Sequence, residues 1–256
     1  MHLLLLGNSN ESVEWFDGGE TSEAILRRRL AEEFHTSAEV TAKSVWPDAK
    51  FPATLQKWLA RYEPDVVYLN VVSFWFQYES VPLRMERLFG RFGKKVSDAG
   101  FSIASNRALA HNRPFRAFRA MAQRTIGGDN HFTPHEVVEC MSECIRLVLR
   151  REGTVLVVSG PGSRNDHSVT PWKRRRNERR RQEVHGALKS LCEQLHVQYE
   201  GAEQPKWRDA GERQGHRVGD GLHLNAAGHA RRGDEMFESV RTAWATEQER
   251  YASEAR

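Results

Sequence analysis

Three short apolar runs constrain the fold of this chain more than any other feature. Leu3-Leu4-Leu5-Leu6 ends at Gly7, Val66-Val67-Tyr68-Leu69 sits within Asp65 to Val72, and Thr154 to Ser159 forms a third run. These runs are continuous rather than alternating. A strand with one wet face alternates apolar and polar residues, whereas a strand covered on both faces does not. The runs therefore predict buried parallel strands. Helical patterns separate them. Thr21 or Ser22 opens a helix to about His35 with Ile25, Leu26, Leu30 and Phe34 on its inner face. Glu39 to Trp46 reads as a second strand closed by Pro47, and Leu55 to Arg61 as a short helix. Thr133, Pro134 and Glu136 form a capping box that opens another helix. A basic helix spans about Trp172 to His196, a weak fifth strand Val197 to Glu200, and a final helix Ala226 to about Glu247. Strands alternating with helices predict a three-layer α/β domain around a mostly parallel five-stranded sheet, with chemistry gathered at the strands' carboxyl ends. The polar and aromatic stretch Ser73 to Pro82 reads as a loop at one such end. Residues 83–151 are too long for one crossover and read as a helical insertion in a single domain spanning 1–256.

Composition narrows the class. With 256 residues, 39% of them hydrophobic and 28% charged, the chain can bury a sizeable core and is not disordered as a whole. The net charge of +4 is local in origin, because Lys173 to Arg181 carries seven of the 38 lysines and arginines. At helical spacing these cations fall on several faces, with Val184, Leu188, Leu191 and Leu195 forming the buried stripe. A solvated helix is expected, and no nucleic-acid partner. Cys140, Cys144 and Cys192 read as buried thiols in a reducing compartment. His131 and His135 are four apart, but Pro134 starts a helix between them, so they do not share a helical face and no metal site is expected. No Gly-x-Gly-x-x-Gly or Walker sequence is present, so no nucleotide cofactor is implied. Leu3 to Leu6 is too short for a signal peptide, and no apolar run reaches the length of a membrane span. A cytoplasmic location is the expectation.

The densest chemistry lies in Asp220-Gly221-Leu222-His223-Leu224-Asn225-Ala226-Ala227-Gly228-His229. Asp220 and His223 are three apart across a glycine, a spacing that lets a turn fold the carboxylate onto one ring nitrogen and leave the other to accept a proton. Asn225 is a good N-cap for the helix that follows. Taken alone, the segment reads equally as an acidic turn capping the last helix. At the other end of the chain, Ser9 follows the first strand directly in Gly7-Asn8-Ser9.

With both ends in view the chain resembles the SGNH or GDSL-type hydrolases, a family of esterases and lipases with a flavodoxin-like fold. The first family block, Gly-Asp-Ser, is met as Gly7-Asn8-Ser9. The last is met nearly whole as Asp220-x-x-His223 followed by Asn225-Ala226-Ala227-Gly228-His229. The resemblance implies Ser9 as nucleophile, His223 as general base and then acid, and Asp220 as its orienter. The two middle blocks diverge. No glycine lies between His35 and Pro64, which leaves a backbone N–H near Trp46 in place of the glycine donor. The asparagine slot of the third block holds Phe74, with Asn70 four residues earlier. The oxyanion-hole candidates are thus the N–H of Ser9, a backbone N–H at Trp46, and Asn70. Phe74, Trp75 and Tyr78 are candidates for a substrate pocket, or for anchoring the insertion to the sheet. The expected activity is hydrolysis of an acyl or acetyl ester, of a small molecule or a carbohydrate, through an acyl-enzyme on Ser9. An acyltransferase on the same scaffold, or a binding protein retaining the fold, are the alternatives.

Overall fold

A computed structural model describes residues 1–7, 18–90, 117, 121, 125, 127–162, 170–201, 215–218 and 223–254. The elements run β1 (His2–Gly7), α1 (Ser22–Phe34), β2 (Glu39–Ser44), α2 (Phe51–Tyr62), β3 (Val66–Asn70), α3 (Phe74–Gln77), β4 (Glu79–Ser80), β5 (Asp129–Asn130), α4 (Pro134–Leu149), β6 (Val155–Ser159), α5 (Pro171–Gln194), β7 (Gln198–Glu200) and α6 (Ala226–Glu254). Residues 81–90 are also helical.

The apolar runs form β1, β3 and β6, the three inner strands of a five-stranded sheet ordered β2-β1-β3-β6-β7. Every pair in this sheet is parallel. Side chains alternate across the strands and both faces are covered, which is why the runs carry no polar alternation. Leu4, Leu6, Val67, Leu69, Leu156 and Val158 face α2, α4 and α5. Leu3, Leu5, Val66, Tyr68, Val155 and Val157 face α1 and α6. The expected three-layer α/β body holds, with five strands in its parallel sheet among the described residues.

Helix ends follow the local chemistry. The Thr133 hydroxyl accepts from the Glu136 N–H and the Glu136 carboxylate accepts from the Thr133 N–H, so the capping box closes. α4 then buries Val137, Met141, Cys144, Ile145 and Val148 against one face of the sheet, so this end of the stretch 83–151 belongs to the three-layer body. The three cysteines are buried free thiols. Two local readings need correction. Ser73 to Pro82 is not a loop: it holds α3 and β4, and β4 pairs antiparallel with β5 in a small ribbon. The second strand stops at Ser44, leaving Val45 and Trp46 beyond the sheet, although the Val45 N–H still donates to the Gly7 carbonyl at 2.9 Å.

Leu69 is fully buried in the central strand, so Leu69→Ala should cost about 2–5 kcal/mol in denaturant unfolding. Thr133→Ala removes one exposed cap and should cost about 1 kcal/mol in the same assay.

Candidate active site

In this sheet order the chain leaves β1 for β2 on one side and returns to β3 on the other. The carboxyl ends of β1 and β3 therefore diverge at a switch point, where open α/β sheets leave a crevice. On the α2/α4/α5 face the crevice is walled by rings. Phe74 stacks on Tyr78 with centroids 4.5 Å apart. Trp46 meets Phe74 edge-on at 6.1 Å, Phe132 at 6.0 Å and His131 at 5.0 Å. His131 in turn lies nearly parallel to Phe74 at 6.2 Å. Main-chain bonds hold this wall: the Phe132 N–H donates to the Trp75 carbonyl at 3.1 Å, and Asn130 Nδ2 to the Tyr78 carbonyl at 3.1 Å. Burial, reinforced by the positive charge of Arg87, holds the His131 pKa below the ordinary histidine value.

The first turns of α5 brace the wall from behind. Lys173 and Arg176 both bind the Glu79 carboxylate, Lys173 at 2.7 Å, and Arg180 donates to the Phe76 carbonyl at 3.1 Å and to Asn130. Burial raises the Glu79 carboxyl's pKa, but the hydrogen bonds and charges of Lys173 and Arg176 outweigh it, and the net shift is downward. The expectation that the basic run forms a solvated face is corrected in part: Lys173, Arg176 and Arg180 point inward, and Arg181 is only 2% exposed and paired with Glu178.

The opposite face carries the imidazoles. Arg217 and Leu224 form a bridge, with the Val218 N–H on the His223 carbonyl at 3.0 Å and the Asn225 N–H on the His216 carbonyl at 3.2 Å. This pair of bonds pins both ends of the segment that carries Asp220 in the sequence. Asn225 caps α6 as expected, its Oδ1 accepting from the Gly228 N–H at 3.0 Å. A Cβ at Gly228 would lie 2.2 Å from the His216 carbonyl oxygen, so the turn and the helix approach closely only because this residue is glycine. One turn along, the buried His229 accepts the Ser22 N–H at Nδ1, 3.2 Å away, which joins the start of α6 to the start of α1. Nδ1 is therefore unprotonated. Burial and the nearby His223 keep the His229 pKa below its ordinary value. Further along α6, Arg232 approaches Glu200, which accepts the hydroxyl of the fully buried Tyr68 at 2.6 Å.

Only some of the predicted site residues fall on these two faces. Ser9 and Asp220 lie outside the described residues. His223 is partly buried in the bridged turn. Trp46, Phe74 and Tyr78 come together, whereas Trp75 is 1% exposed within the core and offers no surface to a ligand. Asn70 ends β3 and shares, by strand alternation, the α1/α6 side with Tyr68, across the sheet from Trp46. His131 joins the wall from a distant part of the sequence, and only its ring contacts reveal it. Among the described residues no cluster of three or more His, Cys, Asp or Glu side chains is arranged to hold a metal, and no helix is long and apolar enough to cross a membrane.

A histidine with a lowered folded-state pKa leaves the unfolded chain the stronger proton binder. Its contribution to stability is complete above the unfolded value of about 6.5 and is lost as pH falls below it, until the folded pKa is reached. The urea midpoint should therefore fall between pH 7.5 and pH 5.5. In His229→Phe, which cannot titrate, that fall should be smaller.

Neither a protein-family model nor a curated protein matches this sequence. Solved structures do match. TesA superposes with a TM-score of 0.56 at 16% identity, covering 95% of this chain and 99% of its own. Est24, a carbohydrate acetylesterase from Sinorhizobium meliloti, gives 0.53 at 15% identity, with 94% and 98% covered. A GDSL-like lipase structure from Parabacteroides merdae gives 0.50 at 12% identity, with 93% and 94% covered. Sheet order, layers and near-complete coverage agree: the chain has the three-layer α/β fold of the SGNH/GDSL hydrolases.

Proposed function

We propose that this protein is a serine esterase of the SGNH/GDSL type that hydrolyses a small-molecule ester through an acyl-enzyme on Ser9. The observation that carries this reading is the junction of the two chain ends. β1, which ends two residues before Ser9 in the sequence, stops at the switch point, and the Ser22–His229 bond brings the start of α6, with His223 just ahead of it, to the helix that follows Ser9 in the sequence. The carbohydrate acetylesterase and the lipase among the superposed structures support ester chemistry on this fold.

In this mechanism His223 takes the Ser9 hydroxyl proton as Oγ bonds to the carbonyl carbon, and the carbonyl π pair moves onto oxygen. Asp220 holds the imidazolium. The tetrahedral species collapses, the bond to the alcohol breaks, and His223 returns the proton to the departing oxygen. Water then attacks the acyl-enzyme with His223 again as base, releasing the acid and restoring Ser9. The N–H of Ser9 and a backbone N–H at Trp46 are assigned to the oxyanion. Trp46, Phe74 and Tyr78 are assigned to the substrate wall.

Fluorophosphonate labelling tests the nucleophile. Label on the wild type, and on neither Ser9→Ala nor His223→Ala, is the expected result, with kcat on a p-nitrophenyl ester falling by about 10⁴-fold or more in both variants. Label that persists in Ser9→Ala would reassign the nucleophile. A folded wild type that takes no label would favour a binding protein, and product partitioning towards an added alcohol would favour an acyltransferase.

A further inference from the structure

Part of the basic run is not engaged by the body of the protein. Lys173, Arg176 and Arg180 hold the ribbon and the wall, and Arg181 holds Glu178. Arg174, Arg175 and Arg179 are exposed, and among the described residues none of the three has an ion pair. Residues three and seven apart share one helical face, so Trp172, Arg175 and Arg179 line up along about 10 Å of α5. Trp172 is 63% exposed, more than any other large hydrophobic side chain among the described residues. It is nevertheless held in place. Pro171 and the Thr170 cap, whose hydroxyl accepts the Lys173 N–H at 3.4 Å, fix the helix start around it. The Arg176 guanidinium lies over the ring, 5.0 Å from its centroid, and is itself tied to Glu79. The strip ends at the exposed Glu183, one turn beyond Arg179.

We propose that this strip is a docking surface for an anionic lipid bilayer. The first turns of α5 lie flat on it, with Trp172 at headgroup level and Arg175 and Arg179 on headgroup phosphates. Charge complementarity and the tryptophan together select that partner. An indole is amphipathic and settles between headgroups and acyl chains, with its ring in hydrocarbon and its N–H in the wet layer. A guanidinium on a long stem reaches past apolar surface to a phosphate. Either feature alone is ordinary surface; their alignment on one face is the pattern of a helix lying in the interface plane. A single-stranded nucleic acid is gripped by successive rings, one for each stacked base. This face has one ring, and Arg176 covers one side of it. The proposal holds whether or not Ser9 is a nucleophile. Its structural consequence is orientation. The inner side of the same turns braces Phe76 and the ribbon, so docking holds the aromatic wall close to the bilayer.

Vesicle sedimentation with the full chain tests this. The wild type should bind vesicles of equal parts phosphatidylserine and phosphatidylcholine, should not bind phosphatidylcholine alone, and should be released by added salt. A cation at an anionic surface is worth about fivefold in partitioning, so Arg175→Gln combined with Arg179→Gln should weaken binding about 25-fold. Arg146→Gln combined with Arg150→Gln removes the same charge from exposed positions at the far end of α4 and should change binding by less than about threefold. Trp172→Phe changes an exposed side chain and leaves the core intact. With brominated lipid in the vesicles, tryptophan fluorescence should be quenched more in the wild type than in Trp172→Phe, because the indole meets the acyl chains. Equal quenching, or an α4 pair that weakens binding as much as the α5 pair, overturns the assignment. So does a wild type that binds neither vesicle; retention of single-stranded DNA that is lost in the Arg175 and Arg179 double variant would then make this a nucleic-acid face.

Discussion

The structure depends on β1 being hydrogen-bonded in parallel to β2 on one side and β3 on the other. Parallel strands need long crossovers, and those crossovers lay helices on both faces, so every inner strand must be apolar along its whole length. The same geometry sends all five carboxyl ends to one edge of the sheet. Because the chain crosses from β2 over β1 to reach β3, the loops after β1 and β3 part from each other, and the crevice opens there. A four-leucine run at the start of the chain thus decides both where the core lies and where the strand ends part.

The two faces of that crevice are built from different materials. On one, Trp46, Phe74, Tyr78, Phe132 and His131 share a wall of rings. On the other, the bridged turn and the Ser22–His229 bond fix imidazoles beside a helix start. The most deeply buried hydroxyl there has an answering partner. The hydroxyl of Tyr68, entirely removed from solvent, bonds Glu200, and Arg232 offsets that carboxylate's charge. An unanswered hydroxyl at that depth would cost about 1–3 kcal/mol.

The basic segment shows how much of an apparent surface charge can be structural. Arg174, Arg175 and Arg179 face solvent, but Lys173, Arg176 and Arg180 brace α3 and the β4–β5 ribbon. Their partners are Glu79 and main-chain groups around a stretch that reads as a loop. At helical spacing the cations do fall on several faces. What periodicity does not convey is that one of those faces meets a carboxylate 94 residues away. Partly buried ion pairs of this kind offset their own desolvation through close hydrogen bonding, which fits the geometry of Glu79 between two cations.

Local chemistry made much of the fold legible in the sequence. The continuous runs identify buried parallel strands, the Thr133 capping box marks the start of α4, and Asn225 marks the start of α6, because each rests on residues within a few positions of one another. The motifs at the two chain ends likewise carry their chemistry in adjacent residues. The wall of the site was only partly legible. Trp46, Phe74 and Tyr78 stand out as aromatics past strand ends, but Trp75, identical in type, is sealed in the core. Four residues of helix decide which rings turn outward. His131 was invisible as a site residue because its neighbours are 57 and 85 positions away along the chain, brought together by a two-residue ribbon that no periodicity announces. The sequence by itself determined the layers, the strand order's raw material and the motifs at the two ends, since those follow from burial and short-range hydrogen bonding. Only the tertiary structure decided what surrounds them, because contacts between distant segments depend on how the crossovers bring their faces together.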